Sequence, residues 1–225
     1  MPSLAFALNL LGGGAEEADA ALVLGGAAGG AHPALRMGLR PHAVSYVLDA
    51  AGDLPATRKT LRPPLEALRD AHGWRGAVGP GEAPAAFMRA ALEEADLVVY
   101  CGHGAGEALV ARADVLALPA SSCAAAVLMG CSSGALRRKG ACEPTGAALA
   151  YLAAGAPCVV ANLWDVTDRD IDRFCIDLLD RWRVGGRAEC PTLAHALPPA
   201  RDVVKLRYLI GAAPVCYGLP VGWAD

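Results

Sequence analysis

Two residues in this chain combine a reactive side chain with the surroundings that chemistry needs: His103 and Cys131. His103 stands in Tyr-Cys-Gly-His-Gly-Ala-Gly (100–106), between two glycines that would let a substrate backbone come close. Cys131 stands in Met-Gly-Cys-Ser-Ser-Gly-Ala-Leu (129–136), again directly after a glycine. A thiol facing an imidazole is the makings of a thiolate nucleophile with a proton-transfer partner. A lone histidine is more often satisfied in a tight turn, and His32, His42, His72 and His195 are read that way. Buried inert thiols are likewise the reading for Cys123, Cys158 and Cys175.

The elements around these residues can be read from the apolar pattern. Leu97–Tyr100 is β-branched and aromatic enough for a buried strand, and so is the run 124–129 before Gly130. Parallel neighbours would bring His103 and Cys131 to the same carboxyl edge, where open α/β sheets form their sites. Further strands are expected at Val44–Leu48, 158–163 and 215–217. Turn chemistry fills 49–53. Helices are expected after Thr57, with Leu61, Leu65 and Leu68 on one stripe and Pro63 and Pro64 before its regular part. More are expected from Pro84, with Phe87, Ala91 and Leu92 inward, at 146–154, and from Thr167 or Asp168 to Gly185-Gly186. Residues 106–120 read as loop with a short strand or turn, Pro198-Pro199 as a break, and 203–210 as helical. Strands alternating with helices give an α/β fold: a mostly parallel sheet between two helical layers. Residues 1–43, glycine-rich apart from a possible strand at 20–24, are expected to be poorly ordered, and 44–225 to form the one domain.

A second chemistry competes for the same stretch. Gly130-Cys131-Ser132-Ser133-Gly134 fits the serine elbow of α/β-hydrolases, with Asp165 and His195 following in the required order. That reading leaves His103 without a role and puts its histidine in a proline-flanked stretch. Asp165, Asp168, Asp170 and Asp172 crowd the strand-to-helix junction at the same edge. One carboxylate there is ordinary capping, but four in eight positions exceed a cap and suit a pocket for a guanidinium.

Composition closes several classes. The 225 residues carry a net charge of −3, which leaves no electrostatic footprint for direct nucleic-acid binding, and the run 136–139 reads as a solvated loop. No apolar run reaches a membrane span's length, and the first residues lack the basic region of a secretory signal. The eight cysteines include no paired metal-site spacing and no disulfide framework, so no metal and no cofactor is expected.

Taken together these stretches resemble the separase family, the caspase-like cysteine proteases that open cohesin at anaphase. The likeness rests on 100–106, on 129–136, and on Ala-Asn-Leu-Trp-Asp-Val-Thr-Asp-Arg-Asp-Ile-Asp-Arg-Phe (161–174). Residues 206–221 and Gly-Trp-Arg-Gly-Ala-Val-Gly (73–79) add to it. The resemblance implies a caspase-like domain with His103 and Cys131 as dyad and the amides of Gly104 and Cys131 as oxyanion donors. It implies cleavage after arginine in a Glu-x-x-Arg context of the kleisin subunit of cohesin, triggering sister-chromatid separation, with the arginine held by Asp165, Asp168 or Asp172. A securin-like inhibitor acting as pseudosubstrate, and a location in cytoplasm and nucleus, are implied with it.

Departures from the family set further expectations. Separases carry a long helical-repeat region, and a strand and a Leu-Pro-Trp-Glu motif precede their Met-Pro-Ser-Leu-like stretch, whereas this chain begins with that stretch. The sheet is therefore expected to lack its first central strand unless 20–24 substitutes, leaving unpaired backbone groups. The chain is expected to be a fragment, which leaves an alternative: a non-catalytic form that binds securin or cohesin without cutting.

Overall fold

The structure, a computed structural model, describes residues 37–82, 84–119, 123–138, 140–182 and 190–224. Six strands form one sheet in the order β3-β2-β4-β5-β6-β7. They are β2 (Val44–Leu48), β3 (Arg75–Val78), β4 (Leu97–Cys101), β5 (Ala125–Leu128), β6 (Cys158–Asn162) and β7 (Pro214–Gly218). All neighbours run parallel except β7, which lies antiparallel to β6. β1 (Met37–Leu39) pairs with β8 (Val221–Trp223) in a separate parallel ribbon. Trp223 of that ribbon stacks on Trp182, ring centroids 4.4 Å apart.

The central strands are buried on both faces, and each face collects its own core. On one, Tyr46, Leu48, Val99, Val127 and Val160 meet Leu61 and Leu65 of α1 (Pro55–His72), Ile171, Phe174 and Leu178 of α5 (Asp168–Arg181), and Leu193 and Leu197 of α6 (Leu193–Ala200). On the other, Val47, Val98, Leu128 and Val159 meet Met88 and Leu92 of α2 (Pro84–Glu94), Val115 of α3 (Arg112–Leu116), and Ala148 and Tyr151 of α4 (Ala147–Ala153). Residues of alternating parity along each strand feed opposite layers, as the pleat requires. Each buried leucine contributes on the order of 2 kcal/mol. This is the three-layer α/β arrangement expected from the sequence.

Several local expectations give way. The sheet has no gap: its six strands are hydrogen-bonded neighbour to neighbour, so the expected loss of a central strand is not seen among the described residues. The candidate strand 20–24 and the stop at Gly185-Gly186 lie outside those residues. Residues 37–43, assigned above to a poorly ordered segment, form β1 and a turn anchored by Arg40, whose guanidinium grips both Asp96 oxygens at 2.7 and 2.9 Å.

α1 begins at Pro55 and runs straight through Pro63 and Pro64, which were expected to precede its regular part. The prolines leave the carbonyls of Lys59 and Thr60 without helical donors, but both residues are exposed and water can serve them. α6 likewise contains Pro198 and Pro199, in its last turn. A short helix, α3, interrupts the loop expected over 106–120. The stretch expected to be helical at 203–210 is a series of turns with Tyr208 almost wholly exposed. In α2, Met88 takes the buried place expected for Phe87, whose ring lies under the Arg75 guanidinium instead.

Candidate active site

The site is built where the ends of β4 and β5 meet. Their register pairs Tyr100 with Leu128, and Met129 N–H extends it by bonding Tyr100 O at 2.9 Å. The two glycine turns then interlock. A Cβ on Gly130 would fall 2.0 Å from Gly104 O and 2.4 Å from Gly102 O, so only glycine permits this approach. The interlock sets the turn bearing His103 against the turn bearing Cys131.

His103 is exposed, and its Nε2 lies 2.9 Å from Asp53 Oδ1, itself on an exposed side chain. An ionised carboxylate only accepts, so the proton sits on Nε2 and the neutral ring keeps its lone pair on Nδ1. Asp53 is the site residue that sequence reasoning missed. The signal was there: 49–53 follows β2, the strand beside β4, and so ends at the same edge. The loop is fixed by Asp49, a buried residue in the left-handed region at φ 49°. Its carboxylate accepts from Leu54 N–H at 3.0 Å and faces Arg58 Nε at 3.2 Å.

Cys131 is half-buried, and its Sγ donates to Val166 O at 3.2 Å. No hydrogen bond joins His103 and Cys131 among the described residues, a looseness common before substrate arrives. Neither Gly104 N–H nor Cys131 N–H is taken by an acceptor among those residues. The turn after Cys131 is tied at many points. Ser133 Oγ donates to Leu128 O at 2.8 Å and accepts Asn162 N–H at 3.0 Å, while Asn162 Nδ2 donates to Gly130 O at 3.0 Å. Gly134 N–H bonds Asn162 O at 2.8 Å.

The acidic junction divides by depth. Asp165 is exposed and accepts from Ser132 Oγ at 2.6 Å. Asp168 is exposed at the start of α5. Asp170 is buried but structural: it faces Thr167 Oγ1 and the Lys205 N–H. Asp172 is buried, with Thr57 of α1 bonded to it and no cation paired to it among the described residues. Burial pushes its carboxyl up to about 7; the Thr57 bond opposes the rise and the Asp168 charge adds to it.

The serine-elbow triad does not assemble. Ser132 and Asp165 are bonded, but His195 lies in α6 with its Nδ1 on Thr192 Oγ1 at 2.7 Å. Among the described residues no group of three or more His, Cys, Asp or Glu could hold a metal ion, and no helix is long and apolar enough to cross a membrane.

A family profile described as "Separin, protease domain" matches residues 1–171. The chain belongs to the separin protease-domain family. Separin from Mus musculus is 44% identical over 194 residues, covering 85% of this chain and 9% of the mouse protein. Separin from Schizosaccharomyces pombe is 40% identical over 186 residues, covering 81% of this chain and 10% of its own length. The chain thus spans about a tenth of the separins it matches. A crystal structure of the Saccharomyces cerevisiae separase–securin complex superposes with a TM-score of 0.76 at 34% identity, over 84% of this chain and 13% of that one. The mostly parallel, helix-flanked α/β sheet described above is the architecture of that separase domain.

Proposed function

We propose that this separin protease domain is a cysteine endopeptidase with Cys131 as nucleophile and His103 as its acid–base partner. The observation that carries the reading is the interlock of Gly130 with Gly102 and Gly104, which sets thiol, imidazole and two unclaimed amides at one strand edge. In the reaction Cys131 gives its proton to His103 and attacks the scissile carbonyl as thiolate. The carbonyl oxygen becomes an oxyanion facing the amides of Gly104 and Cys131. His103 then protonates the leaving amine, and water hydrolyses the thioester that remains. Asp53 holds the imidazole through its Nε2 proton, leaving Nδ1 for the thiol.

The arginine specificity is proposed from the acidic junction, with Asp172 at its base and Asp168 at its mouth. A guanidinium would supply the charge partner that Asp172 lacks and draw its proton off. Asp165 is the weakest candidate, because Ser132 already occupies one of its oxygens. The kleisin subunit of cohesin, cut in a Glu-x-x-Arg context, is the proposed substrate, supported by the likeness to separins. A securin-like inhibitor is proposed from the separase–securin complex, and residence in cytoplasm and nucleus follows from that substrate.

The test is cleavage of a fluorogenic Glu-x-x-Arg peptide by the chain, with Cys131→Ala and Ser132→Ala beside it. The expected result is activity that vanishes in Cys131→Ala and survives in Ser132→Ala. Activity lost only in Ser132→Ala would overturn the assignment. A wild-type chain that binds the peptide without cutting it would favour the non-catalytic form.

A further inference from the structure

The two amides assigned to the oxyanion belong to two peptide units, His103–Gly104 and Gly130–Cys131. In a trans peptide the C=O and N–H point in opposite directions, so holding the carbonyl sets the direction of the amide. Both carbonyls are held, each by one side chain. Tyr100 Oη donates to His103 O at 2.9 Å, and Asn162 Nδ2 donates to Gly130 O at 3.0 Å. Tyr100 is 4% exposed and Asn162 wholly buried, so neither bond competes with bulk water.

The cost of each arrangement is visible. Gly102 must lack a side chain, because a Cβ there would stand 2.6 Å from Tyr100 Oη. Gly130 O can only accept, so the Asn162 amide must turn its nitrogen to it. Its Oδ1 is left buried without a partner among the described residues. A buried unsatisfied oxygen is unfavourable, which a merely structural residue at this position would avoid.

We infer that Tyr100 and Asn162 are paired positioning residues that aim the Gly104 and Cys131 amides at one point, where the oxyanion of an acyl-transfer transition state forms. This rests on the reading of Cys131 as nucleophile and extends it to what orients the donors. The two residues come from different strands, β4 and β6, that flank β5 on either side. The alignment therefore depends on the sheet register rather than on the turns alone. Both bonds also draw electrons toward the carbonyl oxygen, making each opposite N–H a better donor.

The test compares two reactions of the same thiol in the full chain. Acylation of Cys131 by p-nitrophenyl acetate passes through a tetrahedral oxyanion as the sulfur–carbon bond forms, and then expels p-nitrophenolate. Alkylation by iodoacetamide displaces iodide at a saturated carbon and makes no oxyanion. The ratio of the two rates cancels thiol reactivity, and subtracting the Cys131→Ala chain removes other cysteines such as exposed Cys142. In Tyr100→Phe and in Asn162→Ala the ratio is expected to fall about tenfold or more, short of the roughly 100–1,000-fold that follows complete loss of a donor. Ser133→Ala loosens the same turn without touching either carbonyl and is expected to leave the ratio within about twofold, inside ordinary mutational scatter.

A ratio unchanged in Tyr100→Phe and Asn162→Ala would overturn the inference, and so would a Ser133→Ala chain that shifts it as far as they do. Tyr100→Phe removes one oxygen and keeps the ring, so it carries the test if Asn162→Ala fails to fold. The ester has no arginine. Failure of the wild-type chain to cut the Glu-x-x-Arg peptide would therefore sink the peptidase reading while this ratio stayed readable. Absence of Cys131-dependent acylation in the wild-type chain would overturn the inference itself.

Discussion

The site has a cradle and a rim, and they are made differently. The cradle is backbone: two interlocked glycine turns whose carbonyls at His103 and Gly130 are held by buried Tyr100 and Asn162. The rim is side chain: His103 at 63% exposure, Asp53 at 61%, with Asp165 and Asp168 also open to water. In the proposed reaction the groups that meet the developing charge are the ones placed by the sheet, and those that trade protons or greet a substrate are left where they can move. Asp172 belongs to neither, since it is a buried titratable group behind an exposed rim.

The largest effect should come from closing the gap between the turns. Gly130→Ala forces a methyl against Gly104 O and Gly102 O, both backbone atoms that cannot rotate aside. We expect a loss of several kcal/mol, a large share of the roughly 5–15 kcal/mol that stabilises a domain. Thermal unfolding followed by circular dichroism would show it. A Gly130→Ala chain melting within a degree or two of wild type would break the distinction between cradle and rim.

Asp172→Asn should separate stability from specificity. The folded carboxyl stands at about 7 against an ordinary 3.8, so the native state binds the proton more tightly than the unfolded chain. The sign follows directly: this contribution is complete below pH 4 and is lost as pH rises toward 7 and beyond. Above pH 7 Asp172→Asn should therefore be more stable than wild type, by on the order of 1–3 kcal/mol, and near pH 4 the difference should vanish. Cleavage after arginine should drop by about 100-fold or more if a paired buried charge is lost from the pocket. Wild-type cleavage after arginine should improve as pH rises through 7 and Asp172 ionises. Denaturation at pH 4 and pH 8, with peptide kinetics at both, checks the set. A variant less stable at pH 8, with unchanged arginine cleavage, would remove Asp172 from the pocket.

The rim predicts the smallest structural effects. Asp53→Ala should change stability by no more than about 0.5 kcal/mol, as for other exposed pairs. It should lower peptide turnover about tenfold by freeing the imidazole, with Asp53→Asn, which can still accept from Nε2, losing less. If Asp53→Ala unfolds the chain, or leaves turnover untouched, the exposed pair has a different role.

Much of this was legible in the sequence for a physical reason. β4, β5 and β6 are central parallel strands, buried on both faces, and so read as unbroken apolar runs ended by glycine or by the acidic junction. The stripe on α5 was legible because Ile171, Phe174, Cys175, Leu178 and Leu179 face one core. β3 was missed because Arg75-Gly-Ala-Val carries little apolar signal, and its Gly76 is explained only by the Tyr46 ring, 2.1 Å from where a Cβ would be. The prolines in α1 and α6 misled because the lost bonds and the ring's clash with the preceding turn are offset by the packing of Leu61, Leu65, Leu193 and Leu197 into the core. The turns at 203–210 imitate helical spacing, yet only Val204 and Ile210 are buried. His103, Cys131 and the acidic cluster could be named from type and spacing. Asn162 makes its contact with a turn far away in sequence, which no local pattern encodes.

The stacking of Trp182 on Trp223 has an optical consequence. Two indoles 4.4 Å apart and 22° from parallel couple their excited states. That coupling should give paired bands of opposite sign in the circular dichroism spectrum of the folded chain, lost in Trp223→Phe. One ring closes α5 and the other lies on β8, so the signal reports whether the terminal ribbon is seated on the helix that carries Asp172. It needs no label and no substrate, and it would show whether an inhibitor loosens that corner or locks it.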